Sequence, residues 1–166
     1  MRIGAPAFFF AKNHICATII IMKKKDIFVT NNTKQTHKMG EMLAEELLGG
    51  EIICLSGELG SGKTTFAQGV LKGLRAKGPY TSPTFVVLKH YKMKNHESGI
   101  ANAFHLDAYR VGTKDILDLG WEEIISNNNN VVIVEWAERI KNIIPKDAIW
   151  IEFKHLKDTE RKISIK

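Results

Sequence analysis

Arginine is scarce in this 166-residue chain: only five of its 24 basic side chains (Arg2, Arg75, Arg110, Arg139 and Arg161) carry a guanidinium. No arginine-rich stripe with interleaved aromatics runs through it, so direct nucleic-acid binding is allowed but not indicated. Cysteine is almost missing as well. Cys16 and Cys54 have neither metal-ligand spacing nor the numbers for a disulfide framework. Cys54 lies in an apolar run and reads as a small core residue, and a reducing, cytoplasmic location fits. No apolar run is long enough to span a membrane: "APAFFFAKNHICATIII" is broken by Lys12, Asn13 and His14. Its basic cluster, Lys23-Lys24-Lys25, follows the apolar stretch, the reverse of a secretory signal. Residues 1–21 are therefore expected to be an extension outside the fold, a mis-called start ahead of Met22. Residues 22–166 would form one domain with no membrane association.

What is present is the composition of a globular protein, 44% hydrophobic and 25% charged. The formal net charge of +6 suits polyanionic partners such as nucleotides, tRNA or an acidic protein surface. One stretch is more pointed. In "EIICLSGELGSGKTTFAQGVLKGL", Gly57, Gly62, Lys63 and Thr64 match the phosphate-binding P-loop pattern. Glycines let successive backbone amides turn inward towards one anion. Ile52-Ile53-Cys54-Leu55 reads as a short buried strand, and Phe66, Val70, Leu71 and Leu74 recur at helical spacing. Strand, loop and helix N-terminus together make a site for a nucleotide phosphate. Lys63 would reach the β- and γ-phosphates and the Thr64 hydroxyl would ligate Mg²⁺.

The rest of the pattern predicts a three-layer α/β fold, a mainly parallel sheet with antiparallel hairpins. "DIFVTNN" is a first strand, and Asn32 or Thr33 caps a helix whose stripe is Met39, Met42, Leu43, Leu47 and Leu48, ended by Gly49-Gly50. "YTSPTFVVLKHYKM" passes from a loop around Pro83 into a strand. "KNHESG" is a turn and "IANAFHLDAYRV" the return strand. "TKDILDLGWEEIISN" gives short helical turns broken at Gly120, and "NNNN" reads as a polar loop. "VVIVEW" has no polar alternation, as befits a central parallel strand. "AERIKNII" is a short helix stopped by Pro145, and "AIWIEFKH" with "RKISIK" forms a second hairpin.

A P-loop enzyme also needs an acid near Mg²⁺ and a group that positions water or senses the γ-phosphate. Glu135 ends the "VVIV" strand, at the sheet edge where α/β proteins bind ligands, and Asp107 ends "AFHLD". Which of the two activates water stays open. Thr81, Ser82 and Thr84 are the candidate hydroxyls for a switch loop, with Pro83 restricting it. Trp136 could stack on the nucleotide or fill the core. His105 reads as a strand residue before a general base. Asn32 could approach the purine or serve only as a helix cap.

Taken together, "GELGSGKTT", "TSPTF", "FHLDAYR" and "VEWAERI" resemble, in order and spacing, the bacterial TsaE ATPases, over roughly residues 25–165. The resemblance implies Mg²⁺-dependent ATP hydrolysis in making threonylcarbamoyladenosine next to the tRNA anticodon, alongside the paired TsaB–TsaD transferase. tRNA would be met indirectly. It implies nucleotide contacts from Gly60, Ser61, Gly62, Lys63, Thr64 and Thr65, with Trp136 near the nucleotide. Thr64 and Glu135 would sit at Mg²⁺, Asp107 would be needed for turnover, and the "TSPTF" loop would behave as a nucleotide-sensing switch. The chain has Ala137 where many relatives have proline, which removes a rigid helix start but no reactive group. The alternative is a small-molecule kinase on the same P-loop. Residues 112–130 carry no arginine for a kinase lid, and a GTPase would need the absent "NKxD" and "DxxG" motifs. Deleting residues 1–21 is expected to leave melting temperature and ATPase rate unchanged; a scanning melt of the truncated chain that fell by many degrees would show that the extension packs on the domain.

Overall fold

The computed structural model describes residues 27–93, 98–157 and 159–166. The expected extension over 1–21 and most of the "KNHESG" turn therefore lie outside the described residues. Alternation within the central strands decides the architecture. In β2 (Ile52–Gly57), Ile53 and Leu55 enter one core while Ile52 and Cys54 enter another. β5 (Asn130–Glu135) repeats the division, with Val131 and Ile133 on the first side and Val132 and Val134 on the second. A strand apolar on both faces needs cover on both, and so forms the middle of three layers. Burial leaves the Cys54 thiol pushed up to about 12, an inert core group.

Five further strands complete one seven-stranded sheet: β1 (Ile27–Thr30), β3 (Leu88–Lys92), β4 (Asn102–Asp107), β6 (Ile149–His155) and β7 (Arg161–Ile165). Their spatial order is β1-β7-β6-β2-β5-β4-β3. Strands β6, β2, β5 and β4 run parallel. The β3–β4 and β6–β7 hairpins and the β1–β7 pair are antiparallel. The expected three-layer α/β sheet with hairpin additions is the one observed. Helices α1 (Thr33–Ala44) and α2 (Lys63–Gly73) cover the first core. The second is covered by α3 (Thr113–Asp118), α4 (Trp121–Ser126) and a 3-10 helix over Ala137–Ile143. Trp121 is the largest fully buried side chain there, and its Nε1–H donates to the Ile143 carbonyl at 3.1 Å. Among the described residues no helix is long and apolar enough to cross a membrane.

Two local expectations differ from the structure. Helix α1 ends at Ala44, short of Gly49-Gly50, because the Glu51 carboxylate accepts from the amides of Leu48 and Gly49, each at 2.8 Å, and holds them in a turn. Its buried face is Thr36, Gly40, Leu43 and Ala44, whereas Met42 and Leu48 of the expected stripe are exposed. Helix α2 crosses so near that at Gly40 not even a Cβ has room. The asparagine run is likewise not all loop. Asn130 opens β5 and is buried, its amide donating to the Ile124 carbonyl at 2.8 Å and its Oδ1 accepting from Asn102 at 2.9 Å. A buried asparagine so partnered carries no desolvation penalty that would keep it out of a strand.

At the crossing a Cβ on Gly69 would overlap the carbonyl oxygen of His37, and one on Gly40 the carbonyl of Phe66. The rim carries an ion pair, Lys72 to Glu41 at 2.9 Å. Helix propensity alone would make Gly69→Ala stabilising by about 1 kcal/mol. Steric overlap with backbone that cannot yield should win, and Gly69→Ala is expected to cost about 2 kcal/mol net. A denaturant titration showing an unchanged or raised midpoint would contradict this reading of the helix crossing.

Candidate functional site

The loop from Gly57 to Lys63 joins the end of β2 to the first turn of α2. At Gly57 φ is +131°, and a side chain there would strike the Phe153 carbonyl on β6, so only glycine fits. Gly60 and Gly62 also have positive φ, and Gly62 forms the N-cap of α2 without a side-chain bond. The α2 amides therefore open onto a pocket of about 380 Å³, lined among others by Gly60, Gly62, Lys63, Thr64 and Thr65. The pocket sits at the C-terminal ends of the parallel strands, the ligand edge of such sheets. A larger cavity, about 460 Å³, lies at the opposite end beside Glu51, whose carboxylate is already used on two amides. Among the described residues its lining holds no lysine or arginine and no part of the phosphate loop.

Lys63 is buried, and its ammonium donates to the carbonyls of Gly57 and Glu58 at 2.7 Å each. The same ammonium lies 3.8 Å from the centre of the Trp136 ring, a cation–π contact. Burial pushes Lys63 below its ordinary value, opposed by the nearby carboxylates of Glu135, Glu138 and Asp107. Trp136 takes a left-handed backbone, φ +58°, and packs at 4.9 Å against Tyr109 on the pocket wall. It thus lines the pocket while also leaning on the second core.

The two acids stand side by side. Asp107 and Glu135 are register partners at the ends of β4 and β5, each nearly inaccessible. Glu135 Oε2 accepts from the Thr64 hydroxyl at 2.6 Å, and Oε1 meets His105 Nε2 at 2.8 Å. Asp107 Oδ2 accepts from the Thr84 hydroxyl at 2.5 Å and Oδ1 from the Tyr109 amide at 2.8 Å. Of the three switch-loop hydroxyls, Thr84 is the one in the pocket. Ser82 bonds to Thr84 at 2.6 Å, and Thr81 turns away to Lys89. Beyond them the backbone is strained: Val87 has φ +65° despite its branched side chain, and its amide donates to the Pro83 carbonyl at 2.7 Å.

Not every expected residue reaches the pocket. The Ser61 side chain is fully buried, with its hydroxyl unpartnered, and does not line it. Asn32 is the α1 cap, its Oδ1 accepting from the Gln35 amide at 2.9 Å, and it too is absent from the lining. Four lining residues were not singled out from sequence: Leu59 within the phosphate loop, Tyr109, Arg110 and Arg161. Tyr109 and Arg110 lie two and three residues after Asp107, so the "HLDAYR" string held a signal for them. Arg161 arrives from β7, where no spacing rule connects it to the P-loop.

A phosphate-loop joining strand to helix, a buried lysine, and acids at the ends of neighbouring parallel strands define a P-loop nucleotide-binding protein. Residues 30–163 match the family model described as threonylcarbamoyl adenosine biosynthesis protein TsaE. The chain belongs to the TsaE family. It is 35% identical over 138 residues to the tRNA threonylcarbamoyladenosine biosynthesis protein TsaE of Rickettsia typhi, covering 82% of this chain and 91% of the relative. The protein of the same name from Aquifex aeolicus is 36% identical over 139 residues, 82% of this chain and 92% of that one. A crystal structure of Bacillus subtilis YdiB superposes with a TM-score of 0.67 at 27% identity, over 86% of this chain and 84% of that chain.

Proposed function

We propose that this chain is a Mg²⁺-dependent ATPase that serves threonylcarbamoyladenosine formation in tRNA. One observation carries the reading: the Thr64 hydroxyl and the Glu135 carboxylate meet at 2.6 Å beside the buried Lys63, with Asp107 as the neighbouring acid. A hydroxyl and a carboxylate are hard oxygen donors, the set that suits Mg²⁺. Among the described residues no cluster of three or more His, Cys, Asp or Glu side chains forms a cage. That fits an ion held by one or two protein oxygens together with phosphates and water. Thr64 and Glu135 would hold it, and bound there it would offset the charge of the phosphates.

The chain's own groups have separate tasks in this reading. Lys63 supplies the fixed cation for the β- and γ-phosphates. The amides of the loop and of the α2 N-terminus receive phosphate oxygens. Asp107, its second oxygen tied to Thr84, orients water for in-line attack. Trp136 and Tyr109 wall the pocket and exclude bulk water. The tRNA role rests on the names of the relatives and on family membership. On that basis the hydrolysis serves the TsaB–TsaD transferase, in the cytoplasm, with tRNA met only through that complex.

Lys63→Ala should lower ATP affinity about 100-fold, the value of two charge-assisted hydrogen bonds, while the circular dichroism spectrum stays native. Calorimetry giving unchanged affinity in the folded variant would remove the P-loop assignment. Phosphate release scored against transfer to small acceptors separates hydrolase from kinase, and ATP-dependent co-purification with the transferase pair tests the partner.

The acids should separate kinetically. Glu135→Gln is expected to weaken Mg²⁺ dependence and turnover together. Asp107→Asn should cut turnover roughly 100-fold with little change in nucleotide affinity, since its contact is made mainly in the transition state. The reverse pattern would exchange the two roles, and full activity in both variants would exclude both residues from the site.

A further inference from the structure

Lys63 is a buried cation with two buried acids close by, yet among the described residues it forms no ion pair. Its partners are carbonyls. The reason lies on the acid side, where every carboxylate oxygen already has a donor. Thr84 and the Tyr109 amide take those of Asp107. Thr64 takes one oxygen of Glu135, and His105 takes the other. Of these donors, His105 lies deepest. It is completely buried on β4, two residues before Asp107 and on the same face, and reaches diagonally to Glu135 on β5.

The direction of this bond follows from its chemistry. An ionised carboxylate only accepts, so His105 Nε2 carries the proton. Nδ1 is buried without a partner. Protonating Nε2 alone leaves just an unpaired lone pair at Nδ1, whereas a proton there would strand a buried donor, the costlier fault. The ring's tautomer is therefore fixed by the carboxylate it holds. A glutamate pinned at both oxygens cannot rotate about its terminal bond. With the His105 contact gone, Oε1 becomes a buried acceptor without a donor, and Lys63 is the nearby cation that would capture it.

We propose that His105 is a positioning residue: its Nε2–H clamps Oε1 of Glu135, keeps Oε2 turned towards Thr64, and holds the carboxylate off Lys63. The proposal rests on the Mg²⁺–nucleotide reading above, and concerns how that reading's acid and cation are kept separate. Outer-shell partners of metal-binding carboxylates commonly change affinity by about 10- to 100-fold when removed. Sequence alone assigns His105 no such role, because its partner lies on a neighbouring strand 30 residues further along the chain.

The test uses the full chain and a fluorescent ATP analogue, titrated with Mg²⁺. His105→Leu, of similar volume but without a donor, should raise the half-saturating Mg²⁺ concentration at least tenfold and leave nucleotide affinity in EDTA within about threefold of the parent. His105→Gln, which can present an N–H near the position of Nε2, should recover most of that shift. In a Glu135→Gln background His105→Leu should add nothing further. Independently of nucleotide, the imidazole ¹⁵N spectrum of the unaltered protein should show a proton on Nε2. An unchanged Mg²⁺ response in His105→Leu, an equal shift in the Glu135→Gln background, or a ring without a proton on Nε2 would each overturn the clamp while leaving the nucleotide reading standing. Failure of the unaltered protein to bind nucleotide in an Mg²⁺-dependent way would overturn the nucleotide reading, and the clamp with it, whatever the spectrum shows.

Discussion

A carboxylate with only 2% of its surface exposed has to be satisfied by the protein around it, and Glu135 is such a group. Its demands connect much of the structure. Its backbone lies between Leu55 of β2 and Asp107 of β4, the two parallel neighbours of β5. Its side chain takes a hydroxyl from the first turn of α2 and an imidazole from β4. The loop between β2 and α2 is thereby held at both ends: by strand pairing on one side, by Thr64 on the other. Removing the acid would leave Thr64 and His105 without their partner and Lys63 without its strongest neighbouring negative charge.

The site's electrostatics follow from this arrangement. A lysine in so dry a place is disfavoured as a cation, and the flanking acids restore part of what burial takes away. Direct ion pairs would restore more, but would leave the lysine engaged. Carbonyl partners hold the ammonium more loosely than a carboxylate would, and phosphate oxygens are stronger acceptors than amide carbonyls. The aromatic wall adds attraction without adding a competing anion, since Trp136 faces the ammonium with its ring.

Legibility in the sequence tracked the range of the interaction. The phosphate loop could be read because its backbone conformations demand glycine at fixed spacing, and at position 57 only glycine fits. The strand over "VVIV" was readable because cover on both faces removes polar alternation, and the two hairpins from their turns. Glu135 and Asp107 were located by their place at strand ends, which needs only the strand assignments. What stayed hidden depends on partners distant in the chain. The face of α1 was read only in part: Leu43, Leu47 and Met39 of the expected stripe do join the core, but large apolar residues are the ordinary core signal, while Gly40 and Gly69 mark the contact by having no side chain. Asn130 looked like loop until Asn102 and Ile124 were placed beside it. Arg161 enters the pocket from the last strand, and only the sheet order reveals that.

The glycine crossing of α1 and α2 also has a mechanical meaning. Two helix backbones this close interlock like teeth, so neither slides without driving a carbonyl into the other. A push on the first turn of α2 passes to α1 with no slack. On the opposite wall residues 83–87 are held by turn bonds, by the Val87 carbonyl accepting from the Asp107 amide and by the Thr84 link to Asp107. Phe85 projects there into solvent, 85% exposed, while its neighbour Thr84 faces the pocket. One wall is a frame and the other a spring, joined across the pocket by the paired acids.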